Sequence, residues 1–190
     1  VDLDGGDIEK YVGSLVKIIT GINDEIFKQS SKDDSLKGMG TTMTICIVYD
    51  RKIIVFHIGD SRVYIVDAGG IKQITKDHSL VQRLVDEGKI TKEEALVHPN
   101  RNILLKALGS NEKLTADVKE INLDKPVKVI MCTDGLTSMI TDKEIEEIVK
   151  NNSCEAAADK LIYAANNAGG LDNVSVIVFD AGVNNGKRQQ

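Results

Sequence analysis

The spacing of apolar and polar residues predicts a long helix followed by a run of strands. Between residues 7 and 30, apolar side chains recur every three or four positions, which is typical of an amphipathic helix. Residues 43–49, 52–58, 63–66 and 71–75 are rich in β-branched and apolar residues, which predicts four strands. Because only short turns separate them, we expect these strands to form one antiparallel meander.

A small helical segment over residues 79–100 interrupts the strands. Residues 80–87 have a helical pattern that stops at Gly88, a residue suited to the end of a helix. Thr91 and Glu94 have the spacing of a capping box, in which each residue binds the other's backbone N–H, and predict a second short helix.

The rest of the chain predicts two strands, two helices and a final strand. Strands are expected over residues 114–123, 127–132 and 174–179. A second capping box at Thr141 and Glu144 predicts a helix from Asp142 to about Lys150, and an alanine-rich helix covers residues 154–168.

This order of elements indicates an α+β fold, an antiparallel β-sandwich flanked by helices in α-β-β-α layers. We expect a single domain over residues 1–180 and a polar tail over residues 181–190.

Composition narrows the function classes. The chain has 190 residues, 42% of them hydrophobic, and a net charge of −5 with no concentrated basic stretch, which argues against nucleic-acid or membrane-surface binding. Its three cysteines are far apart and form no Cys-x-x-Cys pair, as in a reducing compartment. Neither a membrane-spanning run nor a signal-peptide pattern is present, so the expected location is the cytoplasm.

Acidic residues recur at the ends of the predicted strands. Asp60, Asp77 and Asp134 each follow a strand, and Asp172 precedes one. Carboxylate oxygens are ligands that Mg²⁺ and Mn²⁺ prefer, whereas three scattered histidines argue against zinc. Asp134-Gly135 is also an ordinary turn sequence, and spacing alone leaves open whether these acids converge.

Six short motifs, in this order, carry a resemblance to a known family. They are Gly38-Met39-Gly40-Thr41-Thr42, Gly59-Asp60-Ser61-Arg62, Lys76-Asp77-His78-Ser79, His98-Pro99, Cys132-Thr133-Asp134-Gly135-Leu136 and Gly170-Leu171-Asp172-Asn173-Val174-Ser175. Their order and rough spacing over residues 36–180 resemble the metal-dependent type 2C serine/threonine protein phosphatases, in particular the compact bacterial branch.

The resemblance implies a metal centre and a set of ligands. Asp134 matches the central metal acid, Asp172 matches the second, and Asp77 matches the outer acid that helps to hold a third, weaker metal. The expected cofactors are two or three Mn²⁺ or Mg²⁺ ions, and residues 79–100 match the flap beside the active site. A metal-activated water, not a protein side chain, would attack phosphorus. We expect Asp60 and Arg62 to tie the backbone of their turn together instead of binding metal.

The start of the chain departs from the family pattern. Family members normally carry a phosphate-binding arginine and a full Asp-Gly-Met-Gly-Gly motif before the first helix, and neither is present before Asp7. Asp4-Gly5 is a shortened form of that motif on one interpretation, with Asp4 as the bridging acid and Gly5 offering its carbonyl. On the other interpretation it is a helix cap.

The resemblance leads to two functional hypotheses. The first is hydrolysis of phosphoserine and phosphothreonine in proteins, with a serine/threonine kinase and its targets as partners. The alternative is a catalytically impaired phosphatase-like domain, kept for binding or regulation, with an incomplete metal centre. The missing arginine favours the alternative, and the presence of Asp77, Asp134 and Asp172 favours the enzyme.

Overall fold

A computed structural model describes residues 5–49 and 51–182. Its helices are α1 (Gly5–Lys32), α2 (Leu80–Asp86), α3 (Lys92–Leu96), α4 (Asp134–Thr137), α5 (Asp142–Lys150) and α6 (Cys154–Asn167). Its strands are β1 (Met43–Tyr49), β2 (Lys52–Ile58), β3 (Arg62–Asp67), β4 (Gly70–Gln73), β5 (Asp117–Asn122), β6 (Val127–Cys132) and β7 (Val176–Ala181). A 3₁₀ turn covers Asp34–Leu36.

The strands form two antiparallel sheets. One has the order β1-β2-β5 and the other the order β4-β3-β6-β7. The predicted α+β class, with two antiparallel sheets and helices, is therefore confirmed.

The prediction of a single four-stranded meander is wrong. β2 and β3 belong to different sheets, so the meander is divided into a β1–β2 pair and a β3–β4 pair. The chain changes sheets through three residues that begin with Gly59, whose φ is 112°. A Cβ at this position would overlap the side chain of Thr42, so the sharp change of direction requires glycine.

The described residues form two compact units. The first comprises the residues up to Ile45 together with Phe56–Gly59 and His78–Lys119, and it contains α1, α2 and α3. The second comprises Cys46–Val55, Asp60–Asp77 and the residues from Glu120 onward, and it contains the whole four-stranded sheet.

A buried asparagine anchors α1 within the first unit. Asn23 is fully buried, and its Nδ2 donates to the carbonyl oxygens of Asn111 at 3.0 Å and Glu112 at 3.4 Å. Its Oδ1 accepts a hydrogen bond of 2.9 Å from the Gly109 N–H. One side chain thus satisfies three backbone groups of residues 109–112, and such groups are costly to bury alone.

Strand β6 lies at the centre of the second unit because both of its faces are apolar. Val129 belongs to a buried cluster that also contains Ile53 and Val55 of β2. Ile130 points the other way, into a cluster with Leu161 of α6 and residues of α5. Burial of each large aliphatic side chain contributes about 1.5–3 kcal/mol, so β6 is held firmly up to its last residue.

Local signals in the sequence match the structure well. Both capping boxes are confirmed, at Thr91 with Glu94 and at Thr141 with Glu144. α1 begins at Gly5, two residues before the predicted start, and α4 was missed because Asp-Gly suggested a turn. In the part of the chain that the structure describes, no helix combines the length and the apolar character needed to cross a membrane.

Candidate metal centre

The register of the four-stranded sheet brings acidic residues to one end of it. Arg62, the first residue of β3, lies opposite Cys132, the last residue of β6, which in turn lies opposite Val176, the first residue of β7. These three strand ends are level, so the acids that flank them lie at the same end of the sheet: Asp60 before β3, Asp134 after β6 and Asp172 before β7.

The segment around Asp172 is fastened to the start of α4. The Thr133 N–H donates to the Ser175 carbonyl oxygen at 3.1 Å, and the Ser175 N–H donates to the Thr133 hydroxyl at 3.1 Å. A Cβ on Gly135 would overlap the carbonyl oxygen of Asn173, so the two segments approach as closely as glycine permits. This contact brings the loop that carries Asp172 against the residue that follows Asp134.

Asp134 and Asp172 differ in their exposure to solvent. Asp134 is half-buried and is the first residue of α4. Asp172 is exposed, and its Oδ1 accepts a hydrogen bond of 2.7 Å from the Asn173 N–H. The remaining lone pairs of an exposed carboxylate are available to a ligand from solvent.

Asp77 reaches the same end of the sheet through Arg62. The Arg62 Nε lies 3.0 Å from both Asp77 carboxylate oxygens, and its Nη2 donates to Oδ2 at 2.7 Å. Gln73 Nε2 also donates to Oδ1 at 3.0 Å, and the Asp77 side chain is only 9% exposed. Burial opposes the charge on Arg62, but the hydrogen bonds and the negative charge of Asp77 outweigh it and raise the pKa of the guanidinium.

The pKa of Asp60 reflects the negative charges of neighbouring acids at this end of the sheet. Burial, followed by the charges of Asp134 and Asp77, raises the pKa of Asp60 to about 6. Like charges raise a carboxyl pKa only when they lie near one another. A divalent cation would relieve this repulsion, so the charge and the oxygen chemistry of the end of the sheet fit Mg²⁺ or Mn²⁺.

The described residues do not enclose a metal ion by themselves. Within residues 5–49 and 51–182, no three His, Cys, Asp or Glu side chains are grouped closely enough to hold one. Asp4, the expected bridging acid, lies outside the described residues, and Gly5 is the first residue of α1.

Sequence reasoning missed parts of this site. Arg62 was expected to serve its own turn but binds Asp77, 15 residues later. Asp60 was grouped with the other strand-end acids from the sequence but was expected to serve its own turn, and its raised pKa shows that it lies near Asp134 and Asp77. The hydrogen bond between Tyr64 and Asp142 carried no signal at all, because the two residues are 78 positions apart.

His78 and His98 are both hydrogen-bonded. His98 Nδ1 accepts from the Asn100 N–H at 3.1 Å. His78 Nδ1 accepts from the Gly59 N–H at 3.1 Å, so its Nε2 carries the proton and donates to Asp117 at 3.1 Å. All of these contacts lie within the first unit.

Comparison with known proteins places the chain among phosphatases. Residues 8–165 match the family model described as Protein phosphatase 2C. The serine/threonine phosphatase stp of Listeria monocytogenes is 38% identical over 167 residues, which are 87% of this chain and 66% of the relative. The chain thus spans slightly less than two thirds of the length of that relative.

Solved structures of related proteins support the same family assignment. Serine/threonine phosphatase Stp1 from Staphylococcus aureus is 33% identical with a TM-score of 0.85, over 94% of this chain and 69% of Stp1. The catalytic domain of the serine/threonine protein phosphatase PstP, solved in complex with two manganese ions, is 33% identical with a TM-score of 0.80, over 95% of this chain and 74% of that one. Since the family model covers well over half of its residues, the chain belongs to the protein phosphatase 2C family.

Proposed function

We propose that this chain is a metal-dependent phosphatase that hydrolyses phosphoserine and phosphothreonine in proteins. The observation that carries the proposal is the placement of Asp60, Asp77, Asp134 and Asp172 at one end of the four-stranded sheet. Relatives with the same fold are named serine/threonine phosphatases, which supports the reaction class.

The metal ligands would be carboxylates from different segments. Asp134 would be the central metal acid and Asp172 the second, and Asp77 would help to hold an outer, weaker ion. Asp4 and the Gly5 carbonyl would complete the set from the start of the chain. The two manganese ions in the related PstP structure support Mn²⁺ or Mg²⁺ as cofactors.

The chain's own residues hold and orient the acidic side chains. Bound divalent ions supply Lewis-acid activation of water and neutralise phosphoryl charge. Gly135 and Thr133 keep the Asp134 and Asp172 segments together, and Arg62 fixes the Asp77 carboxylate. Arg62 is expected to serve Asp77 and not phosphate, since all three of its guanidinium nitrogens already donate to Asp77 or Tyr64.

Substrates and location follow from the same proposal. Phosphorylated proteins are the substrates, and a serine/threonine kinase with its targets are the partners. We place the protein in the cytoplasm, supported by three free cysteines among the described residues. Residues 1–180 would act as one domain, with residues 79–100 as its flap.

Activity of the purified, metal-stripped chain tests the reaction. Mn²⁺ is expected to restore hydrolysis of p-nitrophenyl phosphate and of a phosphothreonine peptide, and EDTA to abolish it. Asp134→Asn should lower the activity by at least about a hundredfold, since a metal ligand is lost. The matched control Asp159→Asn changes an exposed acid of α6 and should retain activity. Full metal-dependent activity in Asp134→Asn would overturn the proposal.

Calorimetric titration with Mn²⁺ separates the enzyme from the impaired alternative. Two or more binding sites, lost or weakened in Asp134→Asn, support the enzyme. Absence of binding to the metal-stripped chain supports the alternative, in which the domain serves binding or regulation.

A further inference from the structure

A line of partly buried hydrogen bonds runs from the site to the start of α5. Tyr64, on β3, is fully buried. Its hydroxyl accepts a hydrogen bond of 3.1 Å from Arg62 Nη1 and donates one of 3.0 Å to Asp142 Oδ1. Arg62 in turn binds Asp77, so four side chains are joined in series.

The chemistry of the groups fixes the direction of each bond. Arginine can only donate and a carboxylate can only accept, so the single proton of Tyr64 must go to Asp142. Burial raises the pKa of Tyr64 above its usual range, although Arg62 opposes this effect, so the hydroxyl keeps that proton at neutral pH. The tyrosine is therefore the one side chain here that can both accept from Arg62 and donate to the carboxylate.

The geometry leaves the guanidinium little freedom. The Nε and Nη2 of Arg62 are bound by Asp77, and Nη1 is bound by Tyr64. A planar fork held on two sides cannot rotate without breaking a bond. Asp142 is itself held by the rigid first turn of α5, which Thr141 and Glu144 cap.

We infer that Tyr64 and Asp142 are positioning residues that hold Arg62 against Asp77 and thereby fix the Asp77 carboxylate at the metal end of the sheet. The inference deepens the proposed phosphatase function and rests on it for its catalytic consequence. Neither residue touches the reacting groups, and both act through Arg62. Supporting partners of this kind typically change metal affinity or activity by about 10–100-fold when they are removed.

The central variant is Tyr64→Phe, which removes one oxygen and keeps the buried ring. We expect kcat for p-nitrophenyl phosphate to fall about tenfold with KM changed less than about twofold, because the defect lies in positioning and not in substrate binding. Asp142→Ala should have a similar effect. If the residues act in series, the double variant should be no worse than about the larger single effect. Tyr163→Phe, at an exposed position of α6, is the matched control and should behave as wild type.

A second measurement does not depend on activity. In ¹H–¹⁵N spectra of the metal-free protein, the Arg62 Nε–H signal can be assigned by its loss in Arg62→Lys. This proton should exchange slowly with water in the wild type. In Tyr64→Phe it should exchange at least about tenfold faster, because the Arg62 guanidinium is then free to move. Tyr163→Phe should leave the exchange unchanged.

The activity and exchange measurements together distinguish a failure of the phosphatase proposal from a failure of the positioning role. Fast exchange in Tyr64→Phe combined with an inactive wild type would overturn the phosphatase proposal while supporting the positioning role. An active wild type with kcat and Arg62 exchange both unchanged in Tyr64→Phe would overturn the positioning role alone. Independent, multiplying effects of Tyr64→Phe and Asp142→Ala would also overturn it.

Discussion

The carbonyl oxygen of Asn173 lies so close to Gly135 that a side chain of any size at position 135 would overlap it. This contact joins the loop after α6 to the first turn of α4. It explains why glycine must follow Asp134, since the space for a Cβ is already filled by backbone that cannot move independently.

Gly135→Ala is therefore expected to destabilise the protein by about 1–3 kcal/mol, the usual cost of overpacking a tight site. It should also weaken Mn²⁺ binding, because the Asp172 segment is pushed away from Asp134. Urea unfolding and calorimetry measure the two effects. Gly13→Ala is the control: position 13 lies in α1 with open space around it, and alanine should stabilise the helix by up to about 1 kcal/mol. Equal responses at the two glycines would contradict the steric argument.

Arg62→Ala should be among the most damaging changes of a charged residue. It leaves the Asp77 carboxylate, only 9% exposed, without its cation, and breaking a buried pair typically costs about 3–5 kcal/mol. The comparison is Lys52→Ala, which breaks a pair with Glu120 whose side chains are 47% and 55% exposed and should cost less than about 1 kcal/mol. Chemical unfolding of both variants measures the difference. Similar losses would show that Arg62 and Asp77 are not coupled as their geometry indicates.

Asp60 should make the stability of the metal-free protein depend on pH. Its pKa is about 6 in the folded chain and 3.8 ordinarily, so the folded state holds its proton more tightly between these values. The resulting stabilisation is fully present below about pH 4 and is lost as the pH rises through about 6.

Asp60→Asn removes this titration. In thermal unfolding with EDTA, the variant should be more stable than the wild type at about pH 8, and the gap should close below about pH 4. Asp159→Asn, at an exposed site, should show no such gap. A gap for Asp60→Asn that stays constant with pH would contradict the prediction.

Asn23→Ala should destabilise the first unit. It leaves the Gly109 N–H and the carbonyl oxygens of Asn111 and Glu112 without their buried partner, at a cost of about 2–4 kcal/mol. Asn167→Ala, at the exposed end of α6, should cost less than about 0.5 kcal/mol. Urea unfolding of both variants gives the comparison, and a small effect at Asn23 would show that solvent replaces its hydrogen bonds.

Local rules predicted the parts of the fold that depend on near neighbours. The capping boxes at Thr91 and Thr141 involve residues three apart, and both are present. Strand pairing depends on distant partners instead, which is why the meander prediction failed at Gly59. The acids at strand ends were visible in the sequence, but their convergence follows only from the register of β3, β6 and β7.

The supporting contacts were beyond sequence reasoning for the same reason. Tyr64 and Asp142 are 78 positions apart, and nothing in their immediate surroundings marks them as partners. A buried tyrosine in a strand is most simply explained as part of the core. Only the hydrogen bonds to Arg62 on one side and Asp142 on the other give it a role in the site.

The order of strands also determines when the site can exist during synthesis. The central pair joins β3 to β6, which begins 65 residues later in the chain, and β7 must follow before Asp172 can take its place. Each acid arrives with a different strand, so a nascent chain cannot gather them until nearly all of the four-stranded sheet has left the ribosome. A partly synthesised chain therefore lacks the assembled acids, and metal binding can stabilise only the complete sheet.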